Sequence, residues 1–267
     1  MFRFSNLTKL LAVGFCVGGL QLNAANQLQD GNSVVDLALD QQMGMNTWFV
    51  DGQNQLYQQW FWYAVGGAAE QSIDSIGVPV VVLNGANQLT STYSGVGFDL
   101  SITYTLQGGA FASGQSTVNE DIVINSRSSS PLSFRFYQYS DYNLGGVDQD
   151  TVQISAAFDN ALVTYGLNFI GEVVETPAAS RGEVKPYDVT LLKLNDGLAT
   201  DLDGTLGPDG PGDITFAFQW DFTLNPEGSF IISKVKTLQV QVIPEPTSAF
   251  LVMMGMALFG LIRCRKN

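Results

Sequence analysis

Large apolar side chains recur at every second position along several stretches of this chain. Between residues 215 and 224 they alternate with smaller or polar residues and would share one side of a strand: Phe216, Phe218, Trp220, Phe222 and Leu224. Residues 100–106 and 132–137 alternate in the same way. Because successive side chains of a strand point to opposite faces, this period predicts strands with one buried face and one solvent-exposed face.

Further stretches rich in apolar and β-branched residues also read as strands, and Gly, Asn, Asp and Pro stand between them as turn signals. The predicted strands cover residues 34–39, 47–50, 56–65, 78–83, 100–106, 121–125, 132–137, 151–158, 161–169, 189–194, 215–224 and 230–242. No sustained helical period occurs between the two ends of the chain. We therefore expect an all-β fold, an antiparallel β-sandwich of Greek-key or jelly-roll type, with a single antiparallel barrel as the alternative.

The N-terminus has the order of a secretory signal. Arg3 and Lys9 form a positive region, residues 10–20 are apolar, and Ala24 or Ala25 offers a small residue for signal peptidase. We expect residues 1–25 to be a signal peptide and residues 26–243 to form the β-sandwich domain.

The C-terminus has the order of a second targeting signal. Pro244, Glu245 and Pro246 precede the apolar run 247–262, and Arg263, Arg265 and Lys266 follow it. Sixteen helical residues would span about 24 Å, slightly less than a bilayer core of about 30 Å. Basic residues at one end of a membrane span favour the cytoplasmic side, so Arg263, Arg265 and Lys266 would form a cytoplasmic stop. The chain before Pro244 would then lie outside the inner membrane. We expect residues 244–267 to be a sorting tail with a transmembrane helix; the alternative is a simple tail anchor.

This tail closely resembles the PEP-CTERM tail of exported Gram-negative bacterial proteins. The resemblance implies recognition and removal by an exosortase, a membrane-embedded cysteine protease or transpeptidase, in bacteria that make extracellular polysaccharide. The stretches 59–63 and 216–220 are also similar to an uncharacterised subgroup of that family, for which no activity can be carried over.

Composition excludes several chemistries. Between the two terminal segments, the signal peptide and the sorting tail, here called the tags, the chain has 24 acidic and seven basic residues. The net charge of this part is about −17, which argues against nucleic acid as a partner. The chain has no histidine, and its cysteines, Cys16 and Cys264, both lie in the tags. Ser-His-Asp and Cys-His catalysis and imidazole zinc sites are therefore absent. We expect no enzyme and no obligatory cofactor.

Two groups of residues are candidate sites. Trp60 and Trp62 lie in a dense aromatic stretch and would stack on sugars if exposed, although a strand buried on both faces is the favoured interpretation. Four aspartates supply oxygen atoms for a possible Ca²⁺ site: Asp201, Asp203, Asp209 and Asp213. The EF-hand register fails there, and a solvated acidic turn is the ordinary explanation. The loop 141–150 is either a second calcium site or a hairpin connection.

Two functions remain open from the sequence. The leading hypothesis is a structural or adhesive protein, anchored in the inner membrane before processing and then delivered to the cell surface or extracellular matrix. The alternative is a carbohydrate-binding or carbohydrate-active module, with extracellular polysaccharide as its partner. A pair of catalytic carboxylates cannot be chosen from the sequence, because it is defined by a separation in space.

Overall fold

The computed structural model describes residues 26–241, which consist mostly of β-strands. The eighteen strands are β1 (Asn26–Asp30), β2 (Ser33–Ala38), β3 (Gly44–Val50), β4 (Gln53–Asn54), β5 (Leu56–Val65), β6 (Gln71–Ser72), β7 (Val80–Leu83), β8 (Gln88–Ser94), β9 (Phe98–Gly108), β10 (Gln115–Ser126), β11 (Leu132–Tyr142), β12 (Asp150–Ile154), β13 (Asn160–Tyr165), β14 (Asn168–Thr176), β15 (Arg181–Pro186), β16 (Asp209–Gly212), β17 (Ile214–Leu224) and β18 (Ser229–Gln239). One short α-helix, α1 (Val189–Lys193), and two 3₁₀ turns, Ile73–Ile76 and Leu144–Gly146, complete the described elements.

The strands form two sheets. The first sheet has the order β1-β2-β3-β5-β11-β17-β15, with β4 beside β3 and β6 beside β5. The second has the order β16-β12-β13-β14-β18-β10-β9-β8-β7. Neighbouring strands are antiparallel except for a short parallel contact between β3 and β5. In the second sheet, β18 joins two meanders, since it pairs with β14 on one side and β10 on the other.

The inner faces of the two sheets enclose one aromatic and aliphatic core. Phe61, Phe136 and Phe218 are fully buried on the first sheet, and Ile122 and Ile232 on the second. Polar contacts also cross the interface: Trp48 Nε1 donates to Ser116 Oγ at 2.9 Å, and Tyr93 Oη to the Leu39 carbonyl at 2.6 Å. The long strands thus bury their alternating apolar face, as period-two patterning requires.

The sandwich prediction is confirmed, and the described residues do not close into a single barrel. Three strand predictions were wrong in whole or in part. Residues 151–158 form a strand only up to Ile154, where β12 ends, and Phe158 has a positive φ of 54°. Residues 189–194 hold the helix α1 and its C-cap residue Leu194. Thr190 and Leu194, four residues apart, share the buried side. Residues 161–169 contain the turn between β13 and β14, where Gly166 has a positive φ of 59°.

The predictions for residues 1–25 and for the tail from residue 242 fall outside the described residues. From residue 26 to residue 241, no helix has the length and apolar character needed to cross a membrane.

Candidate functional site: an acidic cleft with two tyrosines

The outer face of the first sheet carries both aromatic and polar side chains and is covered in part by the chain that follows β15. Glu183 on β15 is fully buried there. It accepts hydrogen bonds from Thr190 Oγ1 at 2.6 Å, Lys193 Nζ at 2.9 Å and the Asp203 amide at 3.0 Å. Gln219 on β17 accepts a bond from the Leu202 amide at 2.8 Å. These contacts fix the covering segment on the sheet.

A cleft of about 240 Å³ opens beside the start of this covering segment. The six residues that line it come from β5, the end of β11 and the loops next to β11, β15 and β17: Tyr57, Asp141, Asn143, Asp148, Tyr187 and Asp213. The loop 141–150, predicted as a calcium site or a hairpin connection, thus contributes three of the six.

Two tyrosine rings stand at the surface of the cleft. Tyr57 and Tyr187 are 43% and 38% exposed, and their ring centroids lie 6.1 Å apart at an interplanar angle of 84°. This edge-to-face arrangement is favourable for an aromatic pair. Exposed rings beside a few polar groups are typical of small-molecule sites.

Asp141 is the most buried group that lines the cleft. It is 1% exposed, and no well-formed hydrogen bond reaches either of its carboxylate oxygens from the described residues. Burial raises the pKa of Asp141 to about 8, with further contributions from Asp213, Asp148 and Asp150, while the Tyr139 hydroxyl opposes the shift. Asp141 is therefore largely a neutral acid at pH 7 and can donate a hydrogen bond as well as accept one.

Two neighbouring aspartates share this environment. Burial, followed by the charges of Asp148 and Asp188, raises the pKa of Asp213. Asp150 does not line the cleft and is 1% exposed; burial raises its pKa to about 7, although a backbone bond from Leu144 lowers it. Carboxyl groups with raised pKa values that cluster in a cleft mark a candidate functional site.

The sugar-stacking prediction for Trp60 and Trp62 does not fit the structure, because both side chains are fully buried. Trp60 Nε1 donates to Ser72 Oγ at 2.8 Å, and Trp62 Nε1 to Asn195 Oδ1 at 3.2 Å. Gly44, with a φ of 55°, packs so closely on Trp60 that a Cβ there would lie 2.1 Å from the ring. These two tryptophans pack within the fold, in agreement with the interpretation of this strand as buried on both faces.

The four aspartates predicted as calcium ligands have different surroundings. Asp201 lies 3.9 Å from the Arg181 guanidinium, Asp209 is on the exposed β16, and Asp213 is in the cleft. Asp203 pairs with Lys185 at 2.5 Å; although burial opposes it, bonds from Lys185 and Thr205 hold the pKa of Asp203 below its usual value. Within residues 26–241, no group of three or more acidic residues is arranged to hold a metal ion, so the calcium prediction gains no support.

Sequence reasoning missed a polar network between the sheets. Lys234 and Lys236 on β18 are fully buried with Glu120 on β10 and Glu172 on β14. Lys234 Nζ lies 2.6 Å from Glu120 Oε2 and 3.4 Å from Glu172 Oε1, and Lys236 also pairs with Glu120. The sequence pattern of β18 could have predicted their burial, because both lysines lie on the same face of the strand as the buried Ile232 and Leu238.

Glutamines of the first sheet complete this network. Lys236 Nζ donates to Gln59 Oε1 at 3.1 Å, and Gln138 Nε2 donates to Glu172 Oε1 at 2.8 Å. Although burial favours the neutral acid, Lys234 and Lys236 together lower the pKa of Glu120. The two cations and two anions, all on the second sheet, balance in charge, and the glutamines of the first sheet extend the network across the interface.

Solved structures place the fold among β-sandwich proteins. The chain is similar to a bacterial glucoamylase complexed with acarbose, at 11% identity and a TM-score of 0.55, over 95% of this chain and 37% of that chain. It is also similar to a galactose mutarotase-related enzyme from Lactobacillus acidophilus, at 8% identity and a TM-score of 0.53, over 82% and 98%. A galactose mutarotase-like protein from Lactobacillus casei matches at 7% identity and a TM-score of 0.54, over 80% and 100%. At these identities the likeness shows the fold alone.

The described residues therefore define an antiparallel β-sandwich with an acidic cleft beside the covering segment of its first sheet. The family model of the PEP-CTERM protein-sorting motif matches residues 242–266. The chain is thus a PEP-CTERM-containing protein, as its resemblance implied. No curated protein shows significant sequence similarity to it.

Proposed function

We propose that this protein is exported, held at the inner membrane by its tail, and processed by an exosortase for delivery to the cell surface or extracellular matrix. There the acidic sandwich serves as a structural or adhesive component without enzymatic activity. A signal peptide at residues 1–25 and a transmembrane segment at residues 247–262 are parts of this proposal.

The position of the sorting motif relative to the fold carries the proposal. The last strand, β18, ends at Gln239, and the motif match begins at residue 242. The Gln241 amide still donates to Asn168 Oδ1 at 2.7 Å, so the sandwich is ordered up to the motif. A folded domain joined to a sorting tail without a linker is suited to delivery as one unit.

Fractionation of the host tests this function. The chain should leave the inner membrane in a strain that has its exosortase and remain there in a strain without it. Replacing Pro244, Glu245 and Pro246 together by alanine should reproduce the retention. Glu227→Ala is the matched control, because Glu227 also follows a proline but lies in the turn before β18. Equal release of all forms would refute exosortase sorting.

The acidic cleft favours a second candidate function, the binding of carbohydrate. Asp141, Asp148 and Asn143 offer bonds to hydroxyl groups, and the exposed rings of Tyr57 and Tyr187 offer apolar faces. The similar structures, a glucoamylase and galactose mutarotase relatives, support a sugar ligand only at the level of a shared fold.

A glycan array with matched variants tests this candidate. Tyr57→Ala and Tyr187→Ala should each lose glycan binding while the thermal midpoint of unfolding changes little. Tyr165→Ala is the control, because Tyr165 is also 38% exposed but does not line the cleft. Binding that survives both cleft variants would remove the cleft as the site.

A further inference from the structure

Two turns hold the chain at the point where it leaves the last strand. The Val240 amide donates to the Gly114 carbonyl at 2.8 Å, and Gln239 Nε2 donates to the Ser113 carbonyl at 3.3 Å. On the other side, the Gln241 amide donates to Asn168 Oδ1 at 2.7 Å. The last residues before the sorting motif thus lie between the turn 109–114, which joins β9 to β10, and the turn 166–167, which joins β13 to β14.

Each of these turns presents a large apolar side chain to solvent. Phe111 is 90% exposed and Leu167 is 73% exposed. We call these two side chains the exit rim, since they flank the chain where it leaves the fold. Neither contributes to the core. Single exposed apolar residues are common, but a pair beside one functional segment suggests an interaction surface.

The Phe111 turn is held firmly by Asp51. Asp51 Oδ1 accepts a bond from the Ala112 amide at 2.6 Å, and Asp51 Oδ2 accepts one from the Gly114 amide at 2.8 Å and one from Asn32 Nδ2 at 2.9 Å. The carboxylate is therefore engaged by two amides of the turn and by the side chain of Asn32. This arrangement presents Phe111 at a fixed place beside the exit.

The spacing of the sequence brings the exit rim close to the membrane-directed segment. Residues 242–246 separate the described chain from the apolar run that starts at residue 247, and five residues span at most about 18 Å. The polar region of a bilayer is roughly 5 to 8 Å deep on each side. With residues 247–262 in the membrane, Phe111 and Leu167 are within reach of the lipid surface.

We propose that the exit rim contacts the lipid bilayer while the tail is still in place, which orients the sandwich and presents the sorting motif to its processing enzyme. This inference rests on the proposed function, because it requires the tail to lie in the membrane. The turns 109–114 and 166–167 contain no Lys or Arg. The contact is therefore apolar and needs no anionic lipid.

Fluorescence quenching in bilayers tests the exit rim. The exported chain with its tail intact, purified from a strain without exosortase, is reconstituted in zwitterionic nanodiscs that contain brominated lipid. Phe111→Trp and Leu167→Trp place an indole at each rim position, while the four native tryptophans are at most 1% exposed. Val96→Trp is the control, because Val96 is 98% exposed on the turn before β9, at the opposite end of that strand.

The two rim variants should each lose at least about twofold more of the introduced fluorescence than the control, as expected for side chains that enter the interface. Thermal midpoints in detergent should stay close to that of the parent, since all three sites are exposed. Rim indoles that are unquenched, quenched no more than Val96→Trp, or quenched only with anionic lipid would overturn the inference and leave the sorting function standing. A tail-bearing chain that fails to enter bilayers would overturn both.

Discussion

Glu120 and Lys234 are direct cross-strand partners on β10 and β18, and both side chains are fully buried between the sheets. Lys234 Nζ lies 2.6 Å from Glu120 Oε2 and also 5.0 Å from the centre of the Phe61 ring on the opposite sheet. The ion pair lies within the second sheet, and the Lys234 ammonium contacts the first sheet through the Phe61 ring.

Lys234→Met should lower the free energy of unfolding by about 3–5 kcal/mol, because it leaves two buried carboxylates, Glu120 and Glu172, with Lys236 as the remaining buried cation beside them. Chemical denaturation checks this value. The double variant Lys234→Met with Glu120→Leu restores charge balance, since Lys236 and Glu172 remain as cross-strand partners. It should lose less than the sum of the two single changes. Additive losses would show that the pair is not coupled.

Asp141→Asn should stabilise the protein at neutral and alkaline pH. The folded-state pKa of about 8 exceeds the unfolded value of 3.8, so the Asp141 contribution is fully present below pH 4 and is lost as the pH rises through 8. The Asp141→Asn side chain does not ionise, so the variant does not lose stability in this way as the pH rises. Its gain over the parent should grow from near zero at pH 4 to about 2 kcal/mol at pH 9, since solvent at the cleft reduces the full cost of ionising the carboxyl group.

Denaturation curves of both proteins across this pH range give the comparison. Glu175→Gln serves as the reference variant, because Glu175 is an exposed residue on β14. A gain that does not vary with pH would contradict the raised pKa of Asp141. A stabilised variant that also loses glycan binding would show that the buried acid is retained for binding at a cost in stability.

Trp62→Ala should destabilise the fold by about 3–5 kcal/mol, because a fully buried indole leaves a large cavity. Any loss of sugar binding should then follow the loss of folded protein. Calorimetry and glycan binding measured on the same sample separate the two effects. A well-folded Trp62→Ala protein that has lost only its ligand would make this residue a candidate site again.

Most of the fold was predictable because strand parity decides burial. Residues 56–65 were predicted with the bounds of β5, and Phe216, Phe218 and Trp220 of β17 are buried as their alternation predicted. The opposite face of β17 was predicted to be exposed to solvent and is instead buried at Thr215, Ala217 and Gln219. Residues 189–194 misled the prediction, since a short β-branched and leucine-rich segment can form a strand or a helix until tertiary contacts decide. Here the bond from Thr190 Oγ1 to Glu183 Oε1 fixes the helical turn.

The cleft was not predictable from the sequence. Tyr57, Asp141 and Tyr187 are widely separated along the chain, and only the order of β5, β11 and β15 in the first sheet brings them together. The loop 141–150 is visibly acidic, but nothing local reveals that Asp141 is buried without a well-formed hydrogen bond from the described residues. The tail could be identified from the sequence, because it is a contiguous segment that is recognised by the order of its motif, apolar run and basic residues.

Mass spectrometry of the mature protein from its own host tests the central claim most directly. We expect a new N-terminus near residue 26 and a new C-terminus close to residues 244–246, with residues 247–267 absent. A mature protein outside the inner membrane that still ends at Asn267 would contradict removal of the tail.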